Sequence, residues 1–375
     1  IGALNAVKLS GISWLRSALV SIQFTITSLL IFGSLVIFKQ VSFLSTADLG
    51  FDTDQIVSIK ASEEVKNHIR MIKNDLKNIP GVEYVSVGNL PGIGWMYSGS
   101  IQGKNVNVAM QQVDEDFMDM AGLELLEGRF LTDQDEGTKN TVINETMRNI
   151  LFGDSATVFG QMPHSEGQLV GVVNDFQFSS IKSEVRPLEL KVGGLKFRDV
   201  LVRLNVGANA KKALSSIKSV LLKHDPDTVF EYSFLDEDYN NQFKSEQIFL
   251  TLLKVFTLVS IIIGGLGLFG LAQFNFSKNI KVIGIKKILG APQLSVVLGL
   301  LKGVFRPITI GLLIALPLGY YMMSNWLDSY AYKIKIDAFI ILLTIAVICT
   351  VTFLTVFYQI INSIKLKPID TLNDE

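Results

Sequence analysis

Four strongly apolar stretches of this 375-residue chain carry no charged side chain for 20 residues or more: 17–38, 255–274, 307–327 and 338–364. A helix rises about 1.5 Å per residue, so roughly 20 residues cross a hydrocarbon core of about 30 Å. Each run is long enough to span a membrane. The first also exceeds the apolar core of a cleavable leader and runs into no small-residue cleavage site, so it reads as a retained helix. Composition agrees: 49% of residues are hydrophobic and only 18% charged, with a mean hydropathy of +0.38. That balance excludes a disordered chain and an ordinary soluble enzyme. A net charge of −1 gives no electrostatic basis for nucleic acid binding. The lone cysteine, Cys349, excludes an intrachain disulfide and a cysteine-built zinc site. The chain opens on Ile1 rather than Met, and a missing or processed amino-terminal segment is expected.

Lysine and arginine placement sets the expected orientation. Lys8 and Arg16 precede the first run without an acid, and Lys278, Lys281, Lys286, Lys287, Lys302 and Arg306 lie between the second and third, again without one. Both termini and the 275–306 loop are therefore expected on the cytoplasmic side of the membrane. Residues 39–246 are then extracytoplasmic, and their 30 acidic against 21 basic side chains suit that side. Trp14 and Tyr358 fall at the inner ends of the runs, and Tyr320, Tyr321, Trp326, Tyr330 and Tyr332 crowd an outer end.

Within 39–246 the pattern predicts two β-α-β units. In the first, a strand at 56–60 leads to a helix over 63–79, with Val65, Ile69, Ile72, Leu76 and Ile79 at helical spacing; Pro80–Gly81 ends it before a strand at 82–87. In the second, strands at 200–204 and 229–234 flank a helix over 208–223. This order predicts a split βαβ, ferredoxin-like domain. An inserted, mainly-β subdomain then occupies 90–195, with strands at 107–113, 169–173 and 188–192, a turn at 103–105 and a short helix near 144–152. No proline falls between Leu235 and Phe274, and no glycine before Gly264. One helix is therefore expected to run from 235 through the second span, and the first span's helix to continue to about 49–50. The fold class is membrane α-helical with an α+β extracytoplasmic domain. The expected division is 1–50 (lead-in, first span and stalk), 51–246 (core domain, with 51–89 and 196–235 as its βαβ parts) and 247–375 (three spans and a coupling loop at 275–303).

Catalytic patterns are missing from these residues. There is no G-x-x-x-x-G-K-[ST] phosphate loop, no H-E-x-x-H zinc helix and no G-x-S-x-G elbow; His68, His164 and His224 are scattered. Asp114–Glu115–Asp116 and Asp236–Glu237–Asp238 are expected at helix starts, where acids complement the dipole. Asp133, Asp135 and Glu136 lack calcium-loop spacing. No metal or cofactor is expected. Gly264, Gly265, Gly267 and Gly270 in the second run read either as a helix-packing face or as glycine simply frequent in membrane helices.

Residues 277–299 carry the most information. Ile280, Ile283, Ile285, Ile288 and Leu289 interleave with Lys281, Lys286 and Lys287 before Gly290–Ala291–Pro292. Two readings fit a basic, amphipathic segment: a helix lying on anionic lipid, or a docking helix for a cytosolic partner. The string Val282-Ile283-Gly284-Ile285-Lys286-Lys287-Ile288-Leu289-Gly290-Ala291-Pro292 resembles the E-I-G-I-R-K-x-L-G-A-S signature of the MacB/FtsX superfamily of ABC transporter permeases. Gln23-Phe24-Thr25-Ile26 with Asp48-Leu49-Gly50-Phe51 resembles the opening of the second half of duplicated permeases of this type, common in Bacteroidetes. Gly171-Val172-Val173-Asn174-Asp175-Phe176 with Arg186-Pro187-Leu188 resembles part of their MacB-like periplasmic core domain, and residues 366–372 their usual ending.

The resemblance covers nearly the whole chain. It implies a permease that is not itself an enzyme, paired with a second permease half or a homodimer partner and with cytosolic ABC ATPase subunits. Closure of those subunits is relayed by the helices to the outside domain, serving export or extraction of peptide, lipoprotein or antibiotic-like substrates. A periplasmic adaptor or substrate protein and membrane lipid are further partners it admits. Lys281, Ile283, Gly284, Ile285, Lys286, Lys287, Leu289, Gly290 and Ala291 are the implied ATPase-coupling residues, with Gly264, Gly267 and Gly270 in helix packing. Val282 departs from the signature's acid and Pro292 from its serine. The rival expectation is a non-transporting membrane sensor or scaffold whose outside domain binds a peptide or regulator.

Overall fold

The computed structural model describes residues 2–92, 94–101, 103–153, 155–162, 167–193, 197, 199–288 and 293–365. The chain divides into two compact units, one of residues 1–43 with 245–375, the other of residues 44–244.

The first unit is built from four long helices: α1 (Gly2–Ser45), α8 (Lys244–Ile288), α9 (Gln293–Leu327) and α10 (Ala338–Lys365). Each contains a stretch long and apolar enough to cross a membrane: Trp14–Ser45, Lys244–Asn275, Gly303–Leu327 and Ala338–Phe357. The helix α1 ends at Ser45, four residues short of the expected stop. The helix α9 starts 14 residues before the third uncharged run and carries Pro307 and Pro317 within it. Its neighbours can re-satisfy the carbonyls those prolines leave free. Of the four, α1 is the most enclosed. Its Val20, Phe24 and Ile31 meet Leu268, Leu271 and Ala272 of α8, Val304 and Ile308 of α9, and Ile348 and Val356 of α10.

The second unit holds two sheets. The smaller has the order β11-β1-β10-β2, all antiparallel, with β1 Ile56–Lys60, β2 Val82–Gly88, β10 Asp199–Leu204 and β11 Tyr232–Phe234. Numbered within this sheet the order is 4-1-3-2, the ferredoxin-like arrangement, assembled from strands on either side of a long insertion. Its helices α2 (Glu63–Asn67), α3 (Ile69–Lys77) and α6 (Ala210–His224) cover one face. Val57, Ile59, Val85, Val87, Val200 and Val202 from the strands bury against Ile72, Leu76, Leu214, Ile217 and Leu221. Fully burying such side chains contributes about 1.5–3 kcal/mol each. The single helix expected over 63–79 is two helices, broken at His68 (φ −110°, ψ 18°), whose ring Nδ1 lies 3.1 Å from the Glu64 carbonyl. Ser62 caps the first by accepting from the Val65 amide, and Asn209 caps α6 through the Lys212 amide.

The larger sheet follows β3-β4-β9-β6-β8-β5, with β7 also on β8. These strands are β3 Trp95–Ile101, β4 Lys104–Val113, β5 Leu125–Gly128, β6 Asn140–Asn144, β7 Gly160–Gln161, β8 Gln168–Val173 and β9 Leu188–Val192. It is mixed: β4–β9 and β6–β8 run parallel, the rest antiparallel. Two short helices accompany it, α4 (Phe117–Ala121) and α5 (Glu145–Phe152). Phe117 of α4 reaches the smaller sheet, where its ring would sit 2.9 Å from a Cβ built on Gly88. The strands β3, β5 and β6 carry no simple apolar–polar alternation, and the sequence pattern did not reveal them.

The expected unbroken helix from 235 is interrupted. A short helix α7 (Leu235–Asn241) ends at Gln242–Phe243, and α8 begins at Lys244. The cause is tertiary: Gln242 accepts from the Ile181 amide (3.2 Å) and donates to the Ser179 carbonyl (3.0 Å), while Phe243 is buried beneath Lys182.

Candidate coupling site

The coupling segment is not a separate helix. Lys281, Ile283, Gly284, Ile285, Lys286 and Lys287 all lie in the last turns of α8, which continues from its apolar span to Ile288 without interruption. No proline lies between Phe274 and Ile288 to stop it, and the isolated Gly284 costs a helix only about 1 kcal/mol. At about 100° per residue, helix positions 281, 286 and 287 are spread around the axis rather than aligned in one stripe. In place of the expected separate surface-lying segment, the helix of the span continues to Ile288. Leu289, Gly290 and Ala291, with Pro292, lie outside the described residues.

What fixes α8 within the helical unit is its contact with α1. A Cβ built on Gly264 would lie 3.7 Å from the Phe24 ring and the Thr27 hydroxyl, and one on Gly267 would lie 2.5 Å from Gln23 Oε1. A Cβ on Gly265 would approach Thr355 of α10 at 3.5 Å, whereas one on Gly270 meets nothing within 4 Å among the described residues. Beside these close approaches the Thr27 and Ser260 hydroxyls pair at 2.6 Å, and Ser34 and Thr257 at 3.5 Å. Close backbone approach and interhelical hydroxyl bonds are the forces that associate helices where no hydrophobic gain is available. Further along, the Arg16 guanidinium lies 4.3 Å from the Phe274 ring centroid.

At the opposite end of the bundle the loop 328–337 is tied to two helices. Gln40 of α1 is fully buried; its Nε2 donates to the Tyr332 carbonyl at 2.8 Å and its Oε1 accepts from the Ile334 amide at 2.9 Å. Lys39 pairs with Asp337 at 2.7 Å and holds its carboxyl below the usual range. Tyr330 donates to Glu246 of α8 at 3.0 Å, and burial with that carboxylate pushes the phenol up. Sequence reading missed Gln40; an amide at the edge of an apolar run was its only signal.

In the α/β unit, the Asn174-Asp175-Phe176 motif is a structural knot rather than a reactive group. Asn174 donates to the Gly50 carbonyl (2.6 Å) and accepts from the Glu124 amide. Asp175 accepts from the Thr146 amide (2.8 Å), the Thr146 hydroxyl (2.6 Å) and Asn144 Nδ2 (2.7 Å) at the start of α5. Phe176 stacks edge-on against Phe51 and Phe178, and Phe51 against Tyr239 of α7. Tyr239 donates to the Gln177 carbonyl at 2.5 Å, and the Gln177 amide donates to Leu49. The segments by which the chain enters and leaves this unit thus converge on one loop.

Asp236, Glu237 and Asp238 lie in the first turn of α7 as expected, whereas the acids just before α4 bind elsewhere. Asp116 precedes α4 without capping it; it pairs with Lys73 (2.5 Å) and Lys77 (2.7 Å) of α3. Asp114 accepts from Lys73 and from Ser86, both at 2.5 Å. Burial pushes Asp114 up despite Lys73, while the two lysines bring the more open Asp116 down. With Arg70–Glu136, these pairs line a cleft of about 330 Å³ between α3 and the inserted subdomain. Asp135 is bound by both guanidinium nitrogens of Arg129 (2.7 and 2.8 Å), by Asn140 and by the Thr132 amide, which hold it well below the usual carboxylate range. Asp135 and Glu136 therefore serve different arginines, and no group of three metal-ligating side chains occurs among the described residues. His224 meets Asp75 at 2.9 Å; His164 lies outside the described residues.

Two family profiles match the chain: the MacB-like periplasmic core domain over residues 13–220 and the FtsX-like permease C-terminal domain over 254–368. The chain belongs to the MacB/FtsX-like ABC transporter permease family. Among its relatives, the macrolide export ATP-binding/permease protein MacB of Chromobacterium violaceum is 25% identical over 72% of this chain and 44% of its own length. An ABC transporter permease of Methanocaldococcus jannaschii is 24% identical over 80% of this chain and 78% of its own. The chain thus spans less than half the length of that MacB protein. Among solved structures, the periplasmic region of MacB from Actinobacillus actinomycetemcomitans covers 49% of this chain and 91% of its own, at 18% identity and a TM-score of 0.37.

Proposed function

We propose that this permease couples ATP hydrolysis by a separate cytosolic ABC ATPase to movement of its α/β unit outside the membrane. Residues 283–291 form the docking element, and Lys286 and Lys287 its charged partners to the ATPase. One observation supports this reading: α8 is a single 45-residue helix that starts at Lys244, where the α/β unit ends, and runs to Ile288. A continuous helix transmits displacement along its axis, which a hinged loop would absorb. No phosphate-binding motif occurs in these residues, so the nucleotide site belongs to another chain or segment. In this topology both termini are cytoplasmic and residues 39–246 lie outside. The second permease half is a further copy or a fused partner, and the cargo is peptide, lipoprotein or antibiotic-like, as macrolide export by the MacB relatives suggests.

The test is charge reversal of Lys286 and Lys287 to glutamate in the membrane-embedded protein, scored by ATPase co-purification and by stimulation of ATP turnover. At least a tenfold loss of both is expected. Unchanged binding and turnover would remove these lysines from the interface. Failure of the unaltered protein to retain any ABC ATPase would favour the sensor reading instead.

A further inference from the structure

The chain enters the α/β unit through residues 46–55, between α1 and β1, and leaves it through residues 235–243, between β11 and α8. Both connecting segments are continuous with the smaller sheet, and on neighbouring strands: Val57 of β1 pairs with Phe234 of β11. The strands of the larger sheet all lie between β2 and β10 in the chain, so neither segment runs into that sheet. The loop 174–183 bridges the gap. It follows β8, an inner strand of the larger sheet.

The peptide groups of Gln177 hold one connecting segment each. The Gln177 amide donates to the Leu49 carbonyl at 2.8 Å, and its carbonyl accepts from the Tyr239 hydroxyl at 2.5 Å. Asn174 adds a bond to the Gly50 carbonyl, and Gln242 adds bonds to residues 179 and 181. Gly50 lies so close to the Asp175 carbonyl that no side chain fits between them. On its other side the loop is tied to the inserted subdomain. Asp175 binds Thr146 and Asn144 at the start of α5, and the Phe178 carbonyl accepts from the Gly92 amide (2.7 Å) shortly before β3. Phe51, Phe176, Phe178 and Tyr239 are all buried at this crossing. Close-packed interiors are nearly incompressible, so groups held this way move together.

We propose, on the coupling reading above, that the loop 174–183 is the joint through which displacement of the spans reaches the larger sheet, with Asn174, Asp175 and Tyr239 as its positioning residues. The smaller sheet is driven through its own backbone. The larger sheet has covalent links to the smaller one only by way of β2 and β10, and the loop makes it follow the connecting segments directly. Cutting the joint leaves the smaller sheet driven and lets the larger one lag. The Asn174-Asp175-Phe176 motif thereby acquires a part in coupling that its lack of reactive chemistry does not suggest.

The test uses the full chain in a Cys349→Ser background, in lipid nanodiscs with the ABC ATPase that co-purifies with it, before and after trapping with ATP and vanadate. Spin labels at Ser329→Cys, between α9 and α10, are paired with labels at Lys218→Cys on α6 or at Ser98→Cys on β3, all three exposed positions, and labelled chain is diluted with unlabelled. With the joint intact, both distances should shift on trapping. Asn174→Ala with Tyr239→Phe cuts the joint from the connecting segments, and Asp175→Ala cuts it from α5. Each should reduce the shift at residue 98 by about threefold or more while keeping the shift at residue 218 and ATP turnover. Thr146→Val, which takes one hydroxyl from Asp175, stands in if Asp175→Ala does not fold. Thr141→Val loses a buried bond to the Leu190 carbonyl within the larger sheet and should keep both shifts; if it loses the shift at residue 98 equally, the effect is one of stability and the joint is overturned. Variants that keep both shifts, or lose both together, also overturn the joint and leave the coupling reading standing. If the chain with an intact joint retains no ATPase or shows no shift, the coupling reading falls and the joint falls with it.

Discussion

At Gly50 and Gly171 the chain leaves room for a hydrogen and nothing larger. A Cβ at Gly50, where φ is +74°, would stand 2.1 Å from the Asp175 carbonyl oxygen, and one at Gly171 would stand 2.0 Å from that of Arg129. Both obstacles are backbone and cannot swing aside, so Gly50→Ala and Gly171→Ala should each cost about 1–3 kcal/mol, read as a lowered thermal midpoint. Asp135 supplies a pH-dependent contribution. Its folded carboxyl titrates below the usual range, so its stabilisation is present above the unfolded value of about 4 and is lost as pH falls below it. Asp135→Asn should therefore melt below the native chain at pH 7, with the gap narrowing as pH drops from about 4 toward 2. A constant gap would show that Asp135 acts by shape rather than charge. In the sequence these acids looked alike; Asp116 is set apart by Lys73 and Lys77 on α3, and Asp135 by Arg129, Thr132 and Asn140 close by in the chain.

Among the elements, the corner between α7 and α8 shows how tertiary contact overrides local preference. Nothing in residues 235–263 forbids a continuous helix, yet Gln242 is better satisfied by the Ser179 carbonyl and the Ile181 amide than by solvent. Gln242→Ala removes both bonds and should raise amide exchange across 240–246 by about tenfold, measured by deuterium uptake. If exchange there does not change, the corner is held by Phe243 alone. Gln40→Leu should likewise free the loop 328–337, leaving the Ile334 amide without its acceptor; faster exchange confined to that loop is the expected result. The strands of the ferredoxin-like half were legible because their apolar runs stand between strong helix stops. The strands β5 and β6 were not, since their partners β8 and β9 lie far along the chain, and β3 was not, since its composition carries no alternation although its partner β4 follows at once.

For the whole molecule, the two units have separate cores, the one valine- and isoleucine-rich between sheet and helices, the other formed by α1 among its fellow spans. Residues 44–244 alone should therefore unfold in a single cooperative thermal transition, and a broad, non-cooperative melt would show that the spans are needed to complete the fold. The proposed function places the working parts at the far ends of α8, where the family signature and the α/β unit are joined by one helix. Taken alone, the sequence determined the four spans, the two β-α-β units and the family, because hydropathy and helix stops act over windows of a few turns. It did not determine which acids pair with which lysines, where α8 begins, or that Gln40 holds a loop. Those are set by groups tens to hundreds of residues apart, whose hydrogen-bonding needs are met only once the chain has brought them together.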